Sequence, residues 1–111
     1  MEVTDDSTEA TEVEPGVYLR QLAVGEDMSI QGLRMEPGAR VPEHSHHHEQ
    51  VGYVMSGSGV FTVDGEDHPT SPGDSYAIDS GVSHSLENNT EEPLDGIDVF
   101  APPRANPDWK D

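Results

Sequence analysis

Apolar and polar residues alternate along this chain in short runs, and each run is cut by glycine, proline, aspartate or serine. Residues 17–24 and 28–35 show the pattern, with a Gly-Glu-Asp turn between them. Alternation at a period of two buries one face of a strand and leaves the other outside. The same reading gives strands at 40–46, 50–55, 60–63, 66–70, 75–78, 83–87 and 94–101. Asp64 followed by Gly65 is a strong signal for a two-residue hairpin. Pro42 lacks the amide hydrogen that a ladder needs, so it marks a sheet edge or an irregularity. No longer stretch carries helical periodicity. Many short strands with closely spaced turns predict an all-β sandwich or barrel.

Composition narrows this to one domain. A chain of 111 residues buries roughly two-thirds of its unfolded surface and supports one modest core. Apolar residues make up 32%, with 11 glycines and 9 prolines, a mix that suits a turn-rich β fold better than a helical one. Asp and Glu number 23 against 5 Lys and Arg, for a net charge of −18. Bulk charge of that sign excludes nucleic-acid backbones and anionic membranes as electrostatic partners. The acids are spread along the whole chain, which favours a halophilic surface over a merely acidic protein. Cysteine is absent, which excludes disulfide and thiolate chemistry. Residues 1–15 carry six acids and no base and read as a mobile arm ahead of a domain at 16–111. The chain starts with neither a basic n-region nor an apolar h-region, and no apolar run approaches membrane-spanning length. The expected location is the cytoplasm.

The candidate chemistry lies in the histidines. His44 and His46 are two apart, so on a strand they project from the same face. His84 and Gln50 must reach them from elsewhere in the fold. Neutral imidazole nitrogen is the usual protein ligand for zinc, nickel, copper or iron. These four residues therefore form a candidate site for one divalent transition metal ion.

Gly38, His44, His46, Gln50 and Gly57, followed by Gly73, Gly81, His84 and Asn88, match two sequence motifs in order and at sensible separation. On these residues the chain resembles the cupin superfamily. Two positions depart from the pattern: Gln50 stands where many cupins have Glu, and Asp79 where the second motif usually has Pro. The resemblance implies a cupin double-stranded β-helix, a single-domain jelly-roll barrel. Its metal ligands would be His44, His46, Gln50 and His84, and the partner would be a second copy in a homodimer. Some such barrels recruit an arm like 1–15 as an edge strand. His46 and His48 share the spacing of His44 and His46, but the distances to Gly38 and Gly57 favour the earlier pair. His47 and His48 are then expected on an exposed loop, and His68 on the surface of a hairpin. Glu49 is an alternative ligand to Gln50, and strand alternation favours Gln50. Zinc, nickel, manganese and iron all accept this donor set.

Asp98, Phe100 and Arg104 add a narrower match. Their spacing, with the histidine run from His44, resembles the KdgF-type cupins, which open the ring of 4,5-unsaturated uronates released from pectin and alginate. That resemblance implies a small sugar-acid substrate and an isomerase-like, ring-opening activity. Asp98 is the candidate general acid/base, because an inward acid on a core strand invites a functional explanation. Arg104 suits a uronate carboxylate through its bidentate guanidinium. Phe100 would flank a sugar ring or fill core. Tyr53, Tyr76, Met55 and Trp109 read most simply as packing residues, with one or two lining the pocket. A cupin dioxygenase and a non-catalytic sugar- or metabolite-binding cupin remain alternatives, because fold alone carries little weight for reaction type.

Overall fold

A computed structural model describes residues 1, 3 and 9–104. Trp109, the end of the proline-rich tail and most of the first eight residues lie outside that set. Ten strands follow in chain order: β1 (Thr11–Glu14), β2 (Val17–Val24), β3 (Ser29–Met35), β4 (Arg40–His44), β5 (Glu49–Ser56), β6 (Gly59–Val63), β7 (Glu66–Thr70), β8 (Ser75–Ile78), β9 (His84–Glu87) and β10 (Leu94–Ala101). They form two antiparallel sheets, in the orders β1-β2-β3-β10-β5-β8 and β4-β9-β6-β7. Among the described residues no helix is long and apolar enough to cross a membrane.

The expected strands are present, with two differences that matter. The segment read as a mobile arm contributes β1, which pairs with β2 through Thr11–Leu19 and Glu12–Tyr18. Val13 of that strand packs against the core, which is what offsets the cost of ordering it. The strand expected at 40–46 ends at His44. Beyond it the chain must cross from the smaller sheet to the larger, and a strand cannot make that turn. Pro42 behaves as expected: β4 is an edge strand, and its register with β9 shifts between Val41 and His44. Asp64 and Gly65 both adopt positive φ, the conformation of a two-residue hairpin, and join β6 to β7.

The inner face of the larger sheet is layered. Its first row is Val17, Met35 and Leu94, and its second is Leu19, Leu33, Gly96 and Val54. These rows face Phe61 and Leu86 of the smaller sheet and make the core. The third row changes character: Gln21, Gln31, Asp98, Gly52 and Tyr76 lie side by side across five strands. The fourth brings Ser29, Phe100, Gln50 and Ile78 together. The first two rows are therefore apolar, and polar groups enter only with the third and fourth, where Phe100 and Ile78 stand among them. Polar side chains gathered inside a protein imply that they face a cavity and not packed core.

Candidate metal centre and acid pair

A cavity of about 500 Å³ lies between the sheets, lined by Gln31, Gln50, Tyr76 and Asp98 of the polar rows and by Val17, Leu19 and Leu33 of the apolar ones; its size is within the range of small-molecule sites. The smaller sheet supplies its histidines. His44 and His84 are direct partners across β4 and β9, and their ring centroids are 4.3 Å apart. His46 follows on the connecting segment, 5.6 Å from His44 and 5.1 Å from His84 by ring centroid. The turn after β8 holds this segment. Gly81 donates its N–H to the His46 carbonyl (2.8 Å), and the Ser80 hydroxyl donates to the His47 carbonyl (2.6 Å). Gly81 has φ +81°, which few side chains tolerate.

The backbone sets the tautomer of all three rings. Nδ1 of His44, His46 and His84 faces the carbonyls of Pro42 (2.9 Å), His48 (3.1 Å) and Val82 (2.9 Å). A carbonyl only accepts, so Nδ1 carries the proton and Nε2 keeps its lone pair. One ligand nitrogen from each ring lies within 4.8 Å of the other two. Nε2 of His46 is buried with no hydrogen-bond partner. Burial, and then the neighbouring His84, Arg104 and His44, push the His46 imidazole down to about 4. Burial lowers His84 as well. Rings whose ligand nitrogens converge, with that of His46 buried and unpartnered, fit a divalent cation, and this triad could hold one.

Across the cavity lies Asp98, 3% exposed. Its Oδ1 accepts from Gln50 Nε2 at 3.0 Å and from the Tyr76 hydroxyl. Gly52 makes this possible. It stands between Asp98 and Tyr76 in the row, and a Cβ there would lie 2.2 Å from the Tyr76 ring and 2.3 Å from Asp98 Oδ1. Burial raises the Asp98 pKa, while the Tyr76 and Gln50 hydrogen bonds and the Arg104 charge pull it back. Burial and the Asp98 charge push the Tyr76 hydroxyl far up, so it remains a donor. Arg104 lies over Phe100, 5.2 Å from ring centroid to guanidinium carbon. Its backbone is clamped: its N–H donates to Ser29 Oγ (2.8 Å), and its carbonyl accepts from Gln21 Nε2 (3.0 Å).

The structure thus brings His44, His84, Gln50, Asp98, Phe100 and Arg104 to one cavity, with His46 converging on His44 and His84 behind it. Glu49 points outward, as alternation requires, and His68 is exposed. Several expectations need correction. His48 is half-buried and not exposed, because its ring packs against Phe100 at 5.9 Å. Tyr53 and Met55, read as packing residues, are 45% and 52% exposed because they occupy the outer face of β5. Tyr76 does line the cavity, between Phe61 and Asp98. Asn88, a motif residue, is not at the site. It is fully buried and bonds Met35, Thr90 and Glu92, which pins a turn. Gln21, Ser29 and Gln31 are further polar residues of this region that the motifs do not mark; they fall on the inward phase of the predicted strands, and that polarity is their signal in the sequence.

The cupin domain family matches residues 33–100. The chain belongs to the cupin family. This cupin is 29% identical to the pectin degradation protein KdgF of Dickeya dadantii (strain 3937), over 92% of its own length and 93% of that protein's. The solved structure of KdgF from Halomonas sp. aligns with a TM-score of 0.87 at 27% identity, covering 96% of this cupin and 97% of that chain. This is therefore a KdgF-like cupin. It is also 38% identical to the oxalate-binding protein of Thermotoga maritima over 61% of its length, and spans only 57% of that protein.

Proposed function

We propose that this cupin converts a 4,5-unsaturated uronate monosaccharide to its linear 4-deoxy-5-keto form. The observation that carries the reading is Asp98, a buried carboxyl held by Tyr76 and Gln50 in a cavity lined by His44 and His84, whose imidazoles converge with that of His46. Likeness to KdgF over nearly the full length supports it.

His44, His46 and His84 would hold a divalent transition metal ion, with Gln50 joining through its side-chain oxygen, since its nitrogen is engaged by Asp98. When bound, the ion supplies Lewis-acidic charge against the enolate oxygen that develops on ring opening. Asp98 takes the proton of the anomeric hydroxyl as the C1–O5 bond breaks, and returns it to C4 as the enolate becomes the C5 ketone. No net proton is consumed. Tyr76 and Gln50 fix the carboxyl in one orientation for both transfers. Arg104 pairs with the substrate carboxylate, and Phe100 flanks the ring.

Metal-loaded protein is expected to abolish the ultraviolet absorbance of the conjugated uronate, and Asp98→Asn to lower that rate at least about a hundredfold. Equal rates for the two proteins would sink the mechanism. The oxalate-binding relative favours a second reading, a non-catalytic metabolite-binding cupin. Tight retention of a small acid without turnover is its signature. The functional unit is proposed as a homodimer, packed through the apolar outer face of β5.

A further inference from the structure

One polar group on the inner face of the larger sheet serves neither the metal centre nor the hydrogen-bonded Asp98–Tyr76 pair. Gln31 is 5% exposed, and its Oε1 is buried with no hydrogen-bond partner. The other inward polar groups of its region have work: Gln21 and Ser29 clamp the Arg104 backbone, and Asp98 receives Gln50 and Tyr76. Folded proteins leave few buried acceptors unpaired, because such an acceptor has lost its water and gained nothing. Gln31 is the direct neighbour of Asp98 across β3 and β10, which sets their Cβ atoms about 5 Å apart. Both line the cavity, together with Phe100 and Arg104. The next inward residues on β3 are Leu33 and Met35, so an apolar side chain at position 31 would simply extend the core.

We propose that Gln31 is a substrate-binding residue: its side-chain carbonyl accepts a hydrogen bond from a hydroxyl of the sugar acid and retains that ligand beside Asp98, equally in the ground state and the transition state. This rests on the sugar-acid reading above. A carbonyl oxygen only accepts, so it favours a ligand hydroxyl over a deoxy carbon at the same place. The selected class is a polyhydroxy acid whose carboxylate meets Arg104 and whose hydroxyl meets Gln31.

The test uses metal-loaded wild type and Gln31→Met, which keeps the length of the side chain and removes the acceptor. Calorimetric titration with galacturonate and with each of its monodeoxy derivatives measures binding, and the unsaturated-uronate assay measures KM and kcat. The expected result is about tenfold weaker galacturonate binding and about tenfold higher KM, with kcat, metal content and thermal midpoint not lowered. The binding difference between the two proteins should vanish for the one derivative that lacks the contacted hydroxyl. Unchanged KM and galacturonate affinity would overturn the proposal, and so would an equal loss for every derivative, since a bridging water or general loosening would explain it. If wild type binds galacturonate but leaves the unsaturated uronate intact, the ring-opening reading fails and the binding comparison still decides the role of Gln31. Wild type that binds no sugar acid overturns the proposal. Should Gln31→Met not fold, Gln31→Leu is measured in the same way; failure of both to fold assigns Gln31 to the core and overturns the proposal.

Discussion

Asp98 combines two opposing demands in one residue. Burial disfavours its charge, while two hydrogen bonds and the Arg104 guanidinium favour it, and burial prevails. The native carboxyl therefore holds its proton to higher pH than the unfolded chain, which releases it near about pH 3.9. In the interval between those two values the native state binds more protons, so the contribution of Asp98 to stability is present at acid pH and is lost as pH rises through the native pKa. Asp98→Asn removes that loss. Urea midpoints of the metal-free wild type and variant, compared from about pH 4 to about pH 8, should show the variant gaining on wild type as pH rises. A difference that stays constant across the range contradicts the raised pKa.

At the level of elements, β5 does its work through a missing side chain. Gly52 lets the Tyr76 hydroxyl cross the strand to reach Asp98. Gly52→Ala would force the two apart and is expected to destabilise the fold by about 2 kcal/mol. It should also slow uronate turnover at least about tenfold, because Asp98 would lose one of the two donors that orient it. Chemical denaturation and the absorbance assay check the two halves of that expectation, and wild-type turnover in a folded variant contradicts the second. The same strand shows where sequence reading stops. Alternation along 17–24 and 94–101 identified the strands and turned Asp98 and Phe100 inward, because a period of two is a local property. The pairing of His44 with His84 is long-range, and only the spacing of two motifs hinted at it. The position of His46 beyond the end of β4 depends on hydrogen bonds from Ser80 and Gly81. The Tyr76–Asp98 contact could not be read at all, since it requires three strands in register and an absent Cβ between them.

Charge and surface belong to the whole molecule. The side-chain ion pairs found among the described residues join Arg34 to Glu36 and Asp95, and all lie where water competes. They cannot balance a net charge of −18. Self-repulsion of that size is screened by salt, so the halophilic reading predicts a thermal midpoint that rises from low to molar salt. Circular dichroism during dialysis checks it, and a spectrum and midpoint indifferent to salt would remove it. On the outer face of β5, Val51, Tyr53 and Met55 stand 46%, 45% and 52% exposed in one line. Facing a second copy would cover them. Tyr53→Glu is then expected to shift the sedimentation of a dimer to that of a monomer, and a wild type that sediments as a monomer refutes the proposed dimer.

The change from apolar to polar rows across the larger sheet has a practical meaning for engineering. Resilience and reactivity occupy separate storeys of one scaffold. Repacking around Met35 and Leu94, which do not line the cavity, can raise tolerance to heat while the chemistry above stays untouched. Conversely, new substrates can be sought by editing Gln31, which lines the cavity beside Asp98, without undermining the foundation on which it rests.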